Sequence, residues 1–500
     1  MGQTSSAAQG VARQVDSVRL MGQSAPDPSA RGTFMRADAV ASRERILAAA
    51  ATVAGDRGFS MAEIAAAAGV GRSTLYRHFP TREALHEALR ESRAQASAGV
   101  AVPADRVTTL SYQAPGQLGR EQPLALEVTR VLDDVPPHLA PDQLVAEARR
   151  AGGVPVALYV VDIDGSRLLR LAGTEEFPAH IDSPPALGPE IVPEGLPAFY
   201  ERLQHQLPGC VIEPLWLRGR VTGLLLCIGT PVSPLADIAK QGAAALELVN
   251  DYTDFIESAR RRKPTTPAAE IQQNLFPPRI ARIAGAQLAG ALLPTYAVGG
   301  DWFDFVENRD GAWLAIADAP GNGPTAAGLG AAALGALRAA RRAGGNLEQA
   351  LGLMHETVRR LEHPDYYVTA LVARWHAATA TVRWVNCGHP PAYLVDGDAG
   401  LTVLESPHHP PLGVGEEEPT FRVAERRLNP GERLVLLTDG ITGRHVEDGG
   451  TFGVDGLRAA VEAAEHPTAA GTALAIQQAV IDSWTEPLED DATVVVMAVA

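Results

Sequence analysis

Apolar and polar positions along this chain follow two different periods. Between 42 and 93 the apolar residues recur at helical spacing, with Ile46, Leu47, Ala50 and Val53 on one face. Asp56-Arg57-Gly58-Phe59 stops that helix at a glycine, and Ser60 caps a second helix over 61–68. Gly69-Val70-Gly71 makes a tight turn, and a third helix begins in 72–79. Thr81 caps a fourth, with Ala84, Leu85, Ala88 and Leu89 apolar. The pattern predicts an all-α helix-turn-helix unit over 39–95. From 123 to 262 it predicts an α/β unit. Helices fall at 126–132 and 144–151, and hairpins pair 154–162 with 167–171 and 211–217 with 221–228. One long helix over 238–262 closes this unit, its Ala243, Leu246, Val249 and Phe255 forming a seam for a second copy. Beyond 263, short apolar runs at 313–317, 434–437 and 494–497 read as buried strands.

Acidic residues mark the ends of those strands. Gly299-Gly300-Asp301-Trp302-Phe303-Asp304 is followed by Asp318-Ala319-Pro320-Gly321-Asn322-Gly323, Thr438-Asp439-Gly440 and Asp490-Asp491-Ala492-Thr493. A lone Asp-Gly is ordinarily a turn. Four acidic groups at the ends of apolar strands instead point to hard oxygen donors for Mg²⁺ or Mn²⁺. Two such ions can activate water against a phosphate ester.

Residues from about 264 to 500 resemble the stage II sporulation protein E type of metal-dependent serine/threonine protein phosphatase. The likeness rests on Gln272-Gln273-Asn274-Leu275-Phe276-Pro277-Pro278, the Gly-Gly-Asp-Trp-Phe-Asp segment, and Val368-Thr369-Ala370-Leu371. Asn386-Cys387-Gly388-His389-Pro390-Pro391, Pro411-Leu412-Gly413-Val414 and the two last acidic groups complete it. The resemblance implies an α/β/β/α sandwich over 263–500 that uses two Mn²⁺ or Mg²⁺ ions. It implies that Asp318 bridges the ions and that the Ala319 carbonyl coordinates one of them. Asp439 and Asp490 would complete the shell of the other, and Asp301 would lie beside the second ion. Asp491 is the alternative ligand to Asp490 or its outer partner, and Asp304 is an outer partner. Gly321 and Gly323 let the backbone bend beside the ions. Asn386, Gly388 and His389 shape a turn. Pro320 departs from the family pattern and removes a backbone donor. The implied reaction is hydrolysis of phosphoserine or phosphothreonine on a protein, with an anti-sigma factor antagonist as substrate.

Residues 63–79 resemble the DNA-binding head of tetracycline-repressor type regulators. That likeness places Arg72, Ser73 and Thr74 at base edges and Tyr76, Arg77 and His78 at phosphates, with Leu75 and Phe79 in the core. A helical bundle that dimerises or docks a partner is the competing reading, because charge in the head is nearly balanced. Residues 123–262 are similar to a GAF sensor domain, which implies a small ligand or a dimerisation spacer. The competing function for the whole chain is a transcriptional regulator whose phosphatase-like domain only senses.

Composition narrows the classes. The formal net charge is −16, which argues against indiscriminate nucleic-acid binding by the whole chain. Residues 1–38 are rich in small and polar residues and read as a disordered tail, and 96–122 as a linker. Cys210, Cys227 and Cys387 lack metal spacing and read as reduced thiols. No signal peptide or membrane-length apolar run is evident, so the expectation is a cytoplasmic homodimer without membrane contact.

Overall fold

The structure, a computed structural model, describes residues 134–500 except Lys263, Tyr296, Ala297, Asp398 and Asp448. It also describes Leu132 and, further upstream, Ile46, Ala50, Ile64, Ala67, Ala68, Leu75, Phe79, Leu85 and Ala88. The readings of 1–38 and 96–122 lie outside the described residues. The chain divides into two compact units, Met1–Leu118 and Gly119–Ala500. In the first unit Ile46, Ala50, Ile64, Leu75 and Leu85 are helical and fully buried, and Phe79 is buried too. Backbone bonds Ala68 N to Ile64 O and Phe79 N to Leu75 O, both 2.9 Å, place helical turns on either side of the expected glycine turn.

The second unit opens with an α/β half. Its sheet contains Val156–Val161 (β1), Arg167–Ala172 (β2), His180–Asp182 (β3), Ala186–Leu187 (β4), Glu190–Ile191 (β5), Cys210–Leu217 (β6) and Arg220–Ile228 (β7). The order is β3-β2-β1-β7-β5-β4, with β6 also paired to β7. Helices Ala140–Gly152 (α1), Leu196–Gln206 (α2), Ala236–Asn250 (α3) and Phe255–Arg260 (α4) complete it. Every residue of β1 is buried, because alternate side chains serve two cores. Val156, Leu158 and Val160 pack with α1 and α3, while Ala157, Tyr159 and Val161 pack with Phe199 and Leu203 of α2. The two expected hairpins are present as β1–β2 and β6–β7.

The long helix expected over 238–262 is broken. It stops at Asn250 and resumes at Phe255, across Asp251-Tyr252-Thr253-Asp254. These side chains compete with helical hydrogen bonds, and Thr253 Oγ1 accepts from Phe255 N at 3.2 Å. The expected intermolecular seam is also corrected. Ala243 and Leu246 are buried in the core of their own half, where they satisfy the apolar face of α3.

The C-terminal half begins with Pro267–Leu275 (α5), capped by Thr266. One sheet holds Trp302–Asn308 (β10), Gly311–Asp318 (β11), Thr369–His376 (β12), Thr381–Cys387 (β13), His408–His409 (β16) and Ala424–Arg427 (β17). The other holds Ile280–Ile283 (β8), Ala286–Leu293 (β9), Ala392–Val395 (β14), Leu401–Leu404 (β15), Arg433–Leu437 (β18) and Ala492–Val499 (β19). Phe303, Phe305, Leu314, Ile316, Leu436 and Met497 belong to the core between the sheets. Gly323–Arg342 (α6) and Leu347–Arg359 (α7) cover the first sheet. Asp439–Thr442 (α8) is a single turn after β18, and Gly453–Glu462 (α9) and Ala469–Asp482 (α10) cover the second sheet. The result is the expected α/β/β/α layering.

The two halves share a core. Leu187 of β4 and Val192 lie in the same apolar cluster as Ala289, Val494, Val496 and Ile476. Beside it the buried Glu190 carboxylate accepts from Arg279 N at 3.0 Å and Ile280 N at 2.9 Å, and pairs with Arg220 at 2.5 Å.

Candidate metal centre

Strand registry gathers the aspartates. Trp302 pairs with Ala317 in the β10–β11 hairpin, so Asp301 and Asp318 stand at the same end of the first sheet. Leu437 pairs with Val494 in the second, which brings Asp439 and Asp490-Asp491 to one end of it. Hydroxyls tie these ends together across the sandwich. Thr438 Oγ1 donates to Asp301 Oδ2 at 2.8 Å, and Thr493 Oγ1 donates to the same oxygen at 2.5 Å.

Glycines permit the approach. A side chain at Gly300 would meet the Ala319 carbonyl oxygen at 2.0 Å, and one at Gly440 would meet the Asp491 carbonyl oxygen at 2.0 Å. Gly321 and Gly323 have φ of 89° and 73°, the left-handed region that suits glycine, and turn the chain from Asp318 into α6.

The electrostatics are those of crowded anions. Burial raises Asp318 to about 7, aided by the charges of Asp490 and Asp439. Burial, with Asp318 and Asp491, raises Asp301 well above the carboxylate range, against the two threonine hydroxyls. Asp490 is raised by burial and then by Asp439. Among the described residues none of these aspartates joins an ion pair with Arg, Lys or His. A rise of the size seen at Asp318 corresponds to a penalty on the order of 4 kcal/mol on the ionised form.

The expected ligands separate into two groups. Asp318 is partly exposed, and Asp439 and Asp490 are exposed at the rim. Of the two places left open for Asp491, its surroundings favour the outer partner, because protein donors reach both of its oxygens. Oδ1 accepts from Thr295 N at 2.8 Å and Thr295 Oγ1 at 3.1 Å, and Oδ2 from Gln272 Nε2 at 2.7 Å and Gly299 N at 2.9 Å. Arg338 and Arg341 of α6 hold the Asp304 oxygens at 2.9 and 2.7 Å, so Asp304 fastens α6 to β10. Among the described residues no group of three or more His, Cys, Asp or Glu closes into a ready cage. An all-oxygen donor set whose carboxyls hold their protons more tightly than usual, with no basic partner, fits hard divalent ions. Arg72, Ser73, Thr74, Tyr76, Arg77 and His78 lie outside the described residues.

Several partners were not assigned from the sequence. Gln272 of α5 donates to both the Asp301 carbonyl, at 3.1 Å, and Asp491. Thr438 and Thr493 each follow or precede an acidic group, a repeated Thr–Asp proximity that could have marked them. A cavity of about 190 Å³ beside Asp439 and Asp490 is also lined by Arg444, His445 and Glu489. His445 Nδ1 and Glu489 are 3.0 Å apart there. His389 is buried in the turn that Asn386 closes, and burial lowers it to about 3, so it is neutral at pH 7.

Residues 308–500 match the stage II sporulation protein E (SpoIIE) family, and residues 46–89 match the bacterial regulatory proteins of the tetR family. Phosphoserine phosphatase RsbU of Bacillus subtilis (strain 168) is 24% identical over 183 residues, 36% of this chain and 54% of RsbU. Phosphoserine phosphatase RsbP of the same organism is 32% identical over 88 residues, 18% of this chain and 21% of RsbP. The chain thus spans about half of RsbU and less of RsbP. The solved SiaA-PP2C domain of Pseudomonas aeruginosa is 21% identical with a TM-score of 0.41, over 52% of this chain and 100% of that one. Residues 308–500 carry a SpoIIE phosphatase domain, and residues 46–89 carry a tetR-family head.

Proposed function

We propose that the chain is a metal-dependent phosphatase acting on phosphoserine or phosphothreonine in a protein. The observation that carries this reading is the convergence of Asp301, Asp318, Asp439 and Asp490 without a basic partner. Asp318, Asp439, Asp490 and the Ala319 carbonyl would hold two ions, Mn²⁺ or Mg²⁺, with Asp301 beside the second. Bound there, such ions polarise a phosphoryl oxygen and make water a stronger nucleophile. The protein supplies placement. Thr438 and Thr493 fix the Asp301 carboxylate, and Asp491 fixes the backbone at Thr295 and Gly299. The cavity at Asp439, Asp490 and His445 gives the substrate side chain an approach from solvent.

Likeness to two proteins named phosphoserine phosphatases supports a phosphoprotein substrate, and we infer an anti-sigma factor antagonist. The α/β half fits a GAF-like sensor. Among the described residues no helix is long and apolar enough to cross a membrane. The tetR-family match favours a second activity, DNA contact through Arg72, Ser73, Thr74, Tyr76, Arg77 and His78. A mobility shift on genomic fragments, lost on Arg72→Ala with Arg77→Ala, checks it.

The direct test is hydrolysis of p-nitrophenyl phosphate and of a phosphoserine protein with Mn²⁺, Mg²⁺ or EDTA. Turnover that needs the metal supports the reading. No turnover with any metal in a folded chain overturns it in favour of a regulator with a silent phosphatase fold.

A further inference from the structure

We propose that His445, oriented by Glu489, is the proton donor to the seryl oxygen that leaves phosphorus; this rests on the phosphatase reading and deepens it. Cleavage of a serine phosphate ester needs such a donor, because an unprotonated alkoxide leaves poorly. Other donors near the aspartates are committed elsewhere. Thr438 and Thr493 give their hydroxyl hydrogens to Asp301. His389 is only 7% exposed, its Nδ1 lies 2.9 Å from Thr369 Oγ1, and burial lowers it to about 3, so it holds no second proton to give at pH 7.

His445 stands where the ester would pass. It lines the cavity of about 190 Å³ that Asp439 and Asp490 also line. That is room for about six waters, so a seryl side chain entering toward the aspartates passes close to the imidazole. His445 Nδ1 is 3.0 Å from Glu489 Oε2, and Glu489 lines the same cavity. A carboxylate at Nδ1 fixes the orientation of the ring and keeps a proton on that nitrogen. Nε2 makes no hydrogen bond among the described residues, which leaves it for a guest.

The surroundings hold this pair in place. Arg444, only 6% exposed, donates to the carbonyls of Pro487 at 2.7 Å, Trp484 at 3.1 Å and Glu486. It thereby ties the segment that carries Glu489 to the turn that carries His445. The His445 backbone bridges Thr451, and Phe452 N donates to Arg444 O at 2.7 Å. The Trp484 ring meets the imidazole edge-on, with 6.2 Å between centroids. The His445 and Glu489 side chains are themselves 51% and 66% exposed, and a pair so exposed adds little stability. A buried arginine therefore positions a pair that does little for the fold but borders the acidic site.

The step balances as follows. The water oxygen bonds to phosphorus as the bond from phosphorus to the seryl oxygen breaks. The bonding pair stays on the seryl oxygen, which takes the Nε2 proton of the imidazolium. The ring is left neutral, its Nδ1 proton still toward Glu489. The attacking water loses one proton to solvent, and solvent returns one to Nε2. The products are a serine hydroxyl and hydrogen phosphate.

The test compares the full chain with its His445→Gln variant, in Mn²⁺, on p-nitrophenyl phosphate, phenyl phosphate and a phosphoserine peptide. Nitrophenolate leaves without a proton, phenolate is helped by one, and a seryl oxygen needs one most. The kcat of His445→Gln is expected to fall roughly 100-fold on the phosphoserine peptide, with a loss at least about tenfold smaller on p-nitrophenyl phosphate and an intermediate one on phenyl phosphate. Glu489→Gln keeps the imidazole and removes the carboxylate; it should give the same ordering with smaller losses, and it decides the matter if the first variant does not fold. Calorimetric titration of both variants with Mn²⁺ should match the unsubstituted chain. Equal losses on the three esters overturn the proposal. So does a fall in Mn²⁺ affinity of about tenfold or more, which would place His445 among the groups that support the ions. Failure of the unsubstituted chain to turn over even p-nitrophenyl phosphate with any metal defeats the phosphatase reading itself, an outcome distinct from either of these.

Discussion

Gln272 and Asp491 are 219 positions apart in the chain and hydrogen-bonded at 2.7 Å. The same amide nitrogen reaches the Asp301 carbonyl. One side chain of α5 therefore holds both sheets' acidic ends. Gln272→Leu keeps the bulk and removes the donor. It is expected to lower stability by about 1–3 kcal/mol and metal-dependent kcat/KM by roughly 10–100-fold. Denaturant melts and phosphatase kinetics check the pair of effects, and unchanged kinetics would show that the bridge is only structural.

Asp318→Asn and Asp439→Asn are expected to remove metal-dependent hydrolysis by more than about 100-fold, beyond what loss of an outer partner costs. Asp318→Asn should at the same time raise the melting temperature of the metal-free chain, because it relieves a buried anion crowded by Asp490 and Asp439. A variant that loses both activity and metal-free stability would contradict this assignment.

Acidity gives a prediction of definite sign. In the metal-free chain Asp318 sits at about 7, whereas an unfolded aspartate titrates near about 4. Between those values the folded chain binds the extra proton, so stability falls as pH rises through the window. Divalent ions compete with that proton and bind more tightly as pH rises. The rise in melting temperature on adding Mn²⁺ should therefore be larger at about pH 7.5 than at about pH 5.5, as differential scanning fluorimetry would show.

Gly300→Ala tests the close backbone crossing. Its methyl group would lie 2.0 Å from the Ala319 carbonyl oxygen, so the strand ends must part. The expected result is a loss of about 1–3 kcal/mol together with lost metal-dependent turnover. Gly328→Ala, in open space on α6, is the control and should be neutral or slightly stabilising.

Much of the catalytic fold was legible because each acidic group adjoins a continuous apolar run, and such runs become buried strands. Trp313 to Ala317 and Val494 to Met497 lie in β11 and β19. Neighbours in sequence were harder to separate. Asp490 and Asp491 differ by one position in the bend before β19, yet one stands at the rim and the other is buried among four donors. The arginines that hold Asp304 lie 34 and 37 residues downstream, on a helix whose rotation no local pattern fixes. The break at Asp251–Asp254 was hidden because the flanking apolar residues keep helical spacing across it. Glu190 carried no motif, and its partners lie 89 and 90 positions away.

The shared cluster containing Leu187 and Val192 makes residue 263 a boundary of sequence pattern but not of folding. A fragment beginning there would strip those side chains from Ala289, Val494 and Ile476 and uncover an apolar patch. It would also leave the amides of Arg279 and Ile280 without the Glu190 carboxylate. Calorimetry of the whole chain should accordingly show the α/β half and the sandwich melting in one cooperative transition. A protease that nicks the connection between them should leave the halves associated.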